Sequence, residues 1–103
     1  MVETTTAIET AKAFINECIK KGVAVSEAWL FGSFVKGRAH RYSDIDLALV
    51  SEQFTLNFLE NNKKTALLNY KYADIEVHHF SPDEFERDTP FVNEIKRTGI
   101  KIH

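Results

Sequence analysis

Residues 44–50 read Asp-Ile-Asp-Leu-Ala-Leu-Val, and this segment constrains the fold more than any other. Ile45, Leu47 and Leu49 alternate with Asp44, Asp46 and Ala48, the period of a β-strand with one apolar and one polar face. Such a strand needs a sheet whose apolar side is covered. Its polar side carries two carboxylates about 6–7 Å apart along the strand. The rest of the chain has to supply the cover and a reason for the charges.

The cover is legible in the flanking segments. Ile8, Ala11, Ile15, Cys18 and Ile19 recur at helical spacing over residues 6–21, with Phe14 widening the stripe. Thr5 or Thr6 is expected to cap this helix, Gly22 to end it, and Cys18 to be core. Residues 25–31 read as a strand that stops at Gly32-Ser33. A short helical piece at 34–36 then leads through Gly37 into a polar loop with Arg38, His40, Arg41 and Ser43. Residues 55–70 read as a helix with Leu56, Leu59, Leu67 and Tyr70 among its apolar positions; its segment 61–64 is polar.

Residues 73–80 alternate again, Ile75 and Val77 inward, Asp74, Glu76 and His78 outward. Ser81-Pro82-Asp83 predicts a helix start with Pro82 in the first turn. Pro90 opens a last helix that runs to Gly99, and Ile100 and Ile102 form a short closing strand. The order is that of an α/β domain: a small mixed β-sheet with helices packed on one face, the other face open and carrying the acids.

Bulk properties narrow the function. The 103 residues suit a single domain, and 44% hydrophobic with 27% charged residues fits a folded chain. A net charge of −2 argues against a general nucleic-acid binder, which needs a basic field to neutralise phosphates. The single cysteine excludes an internal disulfide and a cysteine zinc cluster. No apolar run is long enough to cross a bilayer and no signal peptide is evident, so a cytoplasmic location is expected.

Two carboxylates this close repel each other unless a cation lies between them, and hard oxygens suit Mg²⁺, with Mn²⁺ as the alternative. Gly32 follows a strand and has no Cβ, so a phosphate can approach the backbone there, with the Ser33 hydroxyl as a further donor. Lys36, Arg38 and Arg41 place positive charge beside the same loop. Other polar residues carry less. His78 and His79 are adjacent on a strand and point to opposite faces, so they are not expected to chelate a metal as a pair, with or without His40. Tyr70 and Tyr72 are read as packing residues, Trp29 and Phe31 as anchors of the core or its edge. Asp83, Glu84 and Glu86 fit the N-terminal turn of a helix.

Gly32-Ser33, then Gly37, then Ser43-Asp44-Ile45-Asp46-Leu47 resembles the nucleotidyltransferase superfamily that includes DNA polymerase beta and kanamycin nucleotidyltransferase. The similarity to its minimal nucleotidyltransferases covers essentially the whole chain. The resemblance implies that Asp44 and Asp46 hold catalytic metals and that a third carboxylate on a later strand completes the set. Asp74 matches that place, with Glu76 on the same face as the alternative. It further implies that Gly32, Ser33, Lys36, Arg38 and Ser43 bind the nucleotide; Phe34-Val35-Lys36 departs from the more basic run common after Gly-Ser. The substrate would be an NTP, ATP by abundance and family habit. With no chain to spare for an acceptor pocket, the open face needs a lid, a second copy or a partner. Minimal nucleotidyltransferases commonly pair with small all-helical HEPN proteins in toxin–antitoxin modules. Two readings follow: an enzyme that transfers a nucleoside monophosphate to a hydroxyl on such a partner, or an antitoxin-like module that neutralises it without catalysis. A stand-alone antibiotic-modifying enzyme fits less well.

Overall fold

The first apolar stripe does fold as a helix. In a computed structural model, which describes residues 4–32 and 45–103, α1 spans Thr4–Lys20 and buries Ala7, Ala11, Phe14, Ile15 and Cys18. It starts ahead of the expected caps, so Thr5 and Thr6 lie inside it. Gly22 ends it at φ +96°, and the Val23 N–H reaches back to the Cys18 carbonyl at 3.0 Å, a left-handed closure that glycine adopts without strain. Burial raises the Cys18 thiol to a pKa of about 11, as expected of a core cysteine.

Among the described residues four strands follow: β1 (Glu27–Phe31), β2 (Ile45–Val50), β3 (Ile75–Phe80) and β4 (Ile100–Lys101). They form one mixed sheet in the order β3-β2-β1-β4, with β2 and β3 parallel and the other pairs antiparallel. The described residues also form helices α2 (Phe58–Lys71), α3 (Pro82–Glu86) and α4 (Pro90–Thr98) between them. Ser81 and Glu84 make a capping box ahead of α3, and the Thr89 hydroxyl accepts the Val92 N–H ahead of α4. Both helices start on a proline, where a missing N–H costs nothing. Among the described residues no helix is long and apolar enough to cross a membrane.

Strand alternation divides the interior into two cores. Ala28, Leu30, Ile45, Leu47, Leu49 and Ile75 face α1 and α2. On the opposite face Phe31, Ala48, Val50 and Phe80 meet Phe85 of α3 and Val92 and Ile95 of α4, with Trp29 packed alongside. Helices on one face only therefore describes α1 and α2; the two short helices cover part of the second face. The physical reason lies in Ala48, Val50 and Phe80, which are apolar on the side that Asp46 and Glu76 make polar further along the strands. Burying them requires a lid, and α4 is amphipathic enough to provide one.

The second departure is α2. Leu56, Leu59, Leu67 and Tyr70, expected as its apolar positions, are 76%, 70%, 90% and 89% exposed. Its buried side contains Asn61 and Thr65, with Leu68 packed against the first core. This inversion has a cause. The Asn61 amide accepts the Thr55 N–H at 2.9 Å and donates to the Thr55 carbonyl at 2.7 Å, satisfying the backbone of the preceding loop. Thr65 Oγ1 lies 2.9 Å from His79 Nε2. The helix turns a polar face inward because polar groups wait for it there. It starts at Phe58, capped by Asn57, because residues 55–57 belong to that loop. Tyr72, just past the helix, does pack, edge-on to Phe14 at 5.6 Å.

Candidate active site

Asp46 is fixed by register. It pairs with Phe31 across β1 and with Glu76 across β3, so both carboxylates leave the sheet on the face of the second core. His78, two residues beyond Glu76, shares that face. Its Nε2 lies 3.4 Å from Asp46 Oδ1 and 3.9 Å from Glu76 Oε1. One ligand atom from each of the three residues falls within 4.8 Å of the others. The imidazole is held in place by two phenyl rings, Phe31 of β1 at 5.1 Å and Phe91 of α4 at 5.7 Å, both edge-on. A groove of about 680 Å³ runs beside this cluster along the outer edge of β3, with Asn61, Asn69, Glu76, His78 and Phe91 among its walls.

Gly32 stands at the end of β1 with φ +85°, and a Cβ added to it would collide with Asp46 Oδ2. The glycine thus has two local reasons, a left-handed backbone and room for the carboxylate. Both reasons hold independently of the phosphate approach expected from the sequence.

Asp74 is exposed in the turn directly before β3, and its carbonyl takes the Ile45 N–H at 2.7 Å. It stands at the mouth of the β2–β3 pair; among the described residues the clustered ligand atoms belong to Asp46, Glu76 and His78. Asp44, Ser33, Lys36, Arg38, Ser43, Arg41, His40 and the short helical piece at 34–36 lie outside the described residues. In the sequence His78 stands beside His79, and as an adjacent pair the two are not expected to chelate a metal. The two do point apart. His79 faces α2, where Thr65 and the edge of Phe54 at 4.7 Å enclose it and burial lowers its pKa to about 4. The usable signal was the other spacing: Asp74, Glu76 and His78 at alternate positions of one strand.

Two carboxylates and an imidazole at these separations make a donor set that a divalent cation with oxygen and nitrogen affinity can occupy. Carboxylates and an imidazole grouped in this way can neutralise positive charge and hold or move a proton.

Comparison with known proteins gives three findings. A family model described as a nucleotidyltransferase domain matches residues 11–102. The Haemophilus influenzae protein named "Probable protein adenylyltransferase MntA" is 41% identical over 51 residues, a stretch that covers 50% of this chain and 44% of that relative's length. Among solved structures, a candidate nucleotidyltransferase from Sulfolobus solfataricus superimposes with a TM-score of 0.72 at 16% identity, over 95% of this chain and 80% of that one. A Shewanella oneidensis complex, described as a tri-AMPylated HEPN toxin with an MNT antitoxin, matches with a TM-score of 0.57 at 17% identity, over 97% of this chain and 71% of that one. At such identities the structural likeness shows a shared fold.

Proposed function

Because the chain belongs to the nucleotidyltransferase domain family, we propose that it transfers AMP from ATP to a hydroxyl on a small helical partner protein of the HEPN type. The observation that supports this most is the convergence of Asp46 and Glu76 on one sheet face, next to a glycine that leaves space for the Asp46 carboxylate. The protein adenylyltransferase name of the Haemophilus influenzae relative favours AMP and a protein acceptor.

The transfer is an in-line displacement. The acceptor oxygen attacks the α-phosphorus, the bond from that phosphorus to the bridging oxygen breaks, and pyrophosphate leaves with the electron pair. A Mg²⁺ or Mn²⁺ ion bound by Asp44, Asp46 and a carboxylate of the β3 segment would neutralise the triphosphate and lower the pKa of the attacking hydroxyl. Asp74, matching the family position, is our choice for that third carboxylate and for receiving the hydroxyl proton; Glu76 is the alternative. Gly32 and Ser33 would offer backbone and hydroxyl donors to the phosphates, with Ser43, Lys36 and Arg38 adding a donor and positive charge. Positioning and charge stabilisation supply the rate, and no covalent enzyme intermediate is needed.

A second reading has the chain as an antitoxin-like module that neutralises its partner by binding. The Shewanella oneidensis neighbour, named an MNT antitoxin, favours it. The two separate in one experiment. The protein is mixed with a helical protein encoded beside it, Mg²⁺ and ATP, and the partner is weighed by mass spectrometry. The enzyme reading expects added AMP on the partner, lost with Asp46→Asn. A tight complex with no added mass, equally tight with Asp46→Asn, supports the binding module.

A further inference from the structure

We propose that His78 is a nitrogen ligand of the cation at this site and gives it a preference for Mn²⁺ over Mg²⁺. The inference rests on the metal-site reading above and adds a residue and a selectivity to it. Its basis is geometric. His78 projects on the same sheet face as Asp46 and Glu76, and its Nε2 is 3.4 Å from Asp46 Oδ1 and 3.9 Å from Glu76 Oε1. Ligands bound cis to one ion at about 2.1 Å stand about 3 Å apart and trans ligands about 4.2 Å, so the trio is close to what one octahedral ion requires. All three ligand atoms lie within 4.8 Å of one another, a little wider than a trans pair.

The ring is also preorganised. Phe31 and Phe91 contact it edge-on from β1 and α4, and Phe80 lies 6.0 Å from Phe91 behind them. These rings offer no hydrogen-bond partner, and among the described residues the charged atoms recorded near Nε2 are the two carboxylates. A histidine placed there merely to fill space would not need its nitrogen turned to the acids. It is 28% exposed, accessible to an ion from solvent but too confined to swing freely.

Imidazole shifts the selectivity of a carboxylate site in a known direction. Mg²⁺ binds oxygen donors and holds its waters tightly, whereas Mn²⁺ and later first-row ions gain from a nitrogen ligand. Losing one ligand costs on the order of ten- to a hundredfold in affinity, comparable to outer-shell substitutions in metal sites. His79 does not compete for this role, because it faces α2 and is engaged with Thr65.

The test is cation binding to the whole chain. Mn²⁺ affinity is measured by loss of the free-ion electron paramagnetic resonance signal and Mg²⁺ affinity by competition, for the unchanged protein, His78→Gln and Asp46→Asn. Pulsed measurements on bound Mn²⁺ look for coupling to a directly ligated ¹⁴N. The inference expects ¹⁴N coupling in the unchanged protein, its loss in His78→Gln, and a fall in Mn²⁺ affinity of about tenfold or more with Mg²⁺ affinity changed less than about threefold. The ¹⁴N readout on the unchanged protein needs no variant to fold. Mn²⁺ that binds without ¹⁴N coupling, at equal strength in His78→Gln but not in Asp46→Asn, overturns the role of His78 and leaves the metal site standing. Mn²⁺ binding that survives Asp46→Asn, or no cation binding at all, overturns both.

Discussion

Asp46 Oδ2 occupies the space that a side chain on Gly32 would fill, and Gly32 stands at φ +85° one residue beyond Phe31, the cross-strand partner of Asp46. The glycine and the acid are parts of one construction, built by the β1–β2 register. An alanine at position 32 has to displace the carboxylate and also adopt a left-handed backbone.

Gly32→Ala should therefore destabilise the fold by about 1–2 kcal/mol from the backbone alone and more from the collision. In an Asp46→Ala background the collision with the carboxylate is gone, leaving the backbone cost and a close contact with the Cβ of residue 46 at 3.3 Å. Urea unfolding of the four proteins checks this, with a coupling energy of about 0.5–3 kcal/mol expected between the two sites. Strict additivity would separate them.

Asp46→Asn should keep the fold, with stability unchanged or slightly raised, because it removes one of two neighbouring negative charges paired across β2 and β3. It should also abolish detectable Mg²⁺ or Mn²⁺ binding. Calorimetric titration of the folded variant gives both answers, and retained cation affinity would place the metal elsewhere.

Much of the domain could be read from residue order. The alternation of β2 and β3 gave their faces, and Ser81-Pro82 and Pro90 marked α3 and α4 because capping is local chemistry. What the pattern could not reveal was what each face would meet. Leucines at 59 and 67 look like a core stripe, but α2 turns Asn61 and Thr65 inward to satisfy the Thr55 backbone and His79, which are distant or unremarkable in sequence. The second core was hidden for a related reason: Ala48 and Val50 read as the ends of a half-polar strand until Phe85, Val92 and Ile95 arrive from a later segment. Asp46 was legible by its motif. Local spacing placed His78 on the face of Glu76, but its meeting with Asp46 depends on the β2–β3 register.

The inversion of α2 makes neighbouring leucines unequal. Leu67 is 90% exposed, whereas Leu68 packs against the first core. Leu67→Gln should change stability by less than about 0.5 kcal/mol, and Leu68→Gln should cost about 1–3 kcal/mol. Thermal unfolding of both variants distinguishes this orientation from the reverse, in which Leu67 would be the costly one.

His79 ties stability to pH. Burial, with the neighbouring charge of His78 and then Lys64, lowers its folded pKa from 6.5 to about 4. Between those values the unfolded chain binds a proton that the folded chain refuses, so stability is full above about pH 6.5 and falls as pH drops toward 4. The loss is at most about 3–4 kcal/mol, since one pKa unit is worth 1.36 kcal/mol, and solvent screening of the partly exposed ring makes it smaller. Urea midpoints at pH 7.5 and 5 should differ clearly in the unchanged protein and less in His79→Gln. Equal pH dependence in both would mean that His79 is not the titrating group.

The proposed activity moves a nucleotide and not a phosphate. The most direct measurement incubates the protein, a helical protein encoded beside it, Mg²⁺ or Mn²⁺ and ATP carrying label at either the α- or the γ-phosphate, then follows label on protein. Nucleotidyl transfer predicts label from the α-position only, pyrophosphate in equal amount, and neither product with Asp46→Asn. Label from the γ-position, or α-label undiminished in Asp46→Asn, would contradict the account.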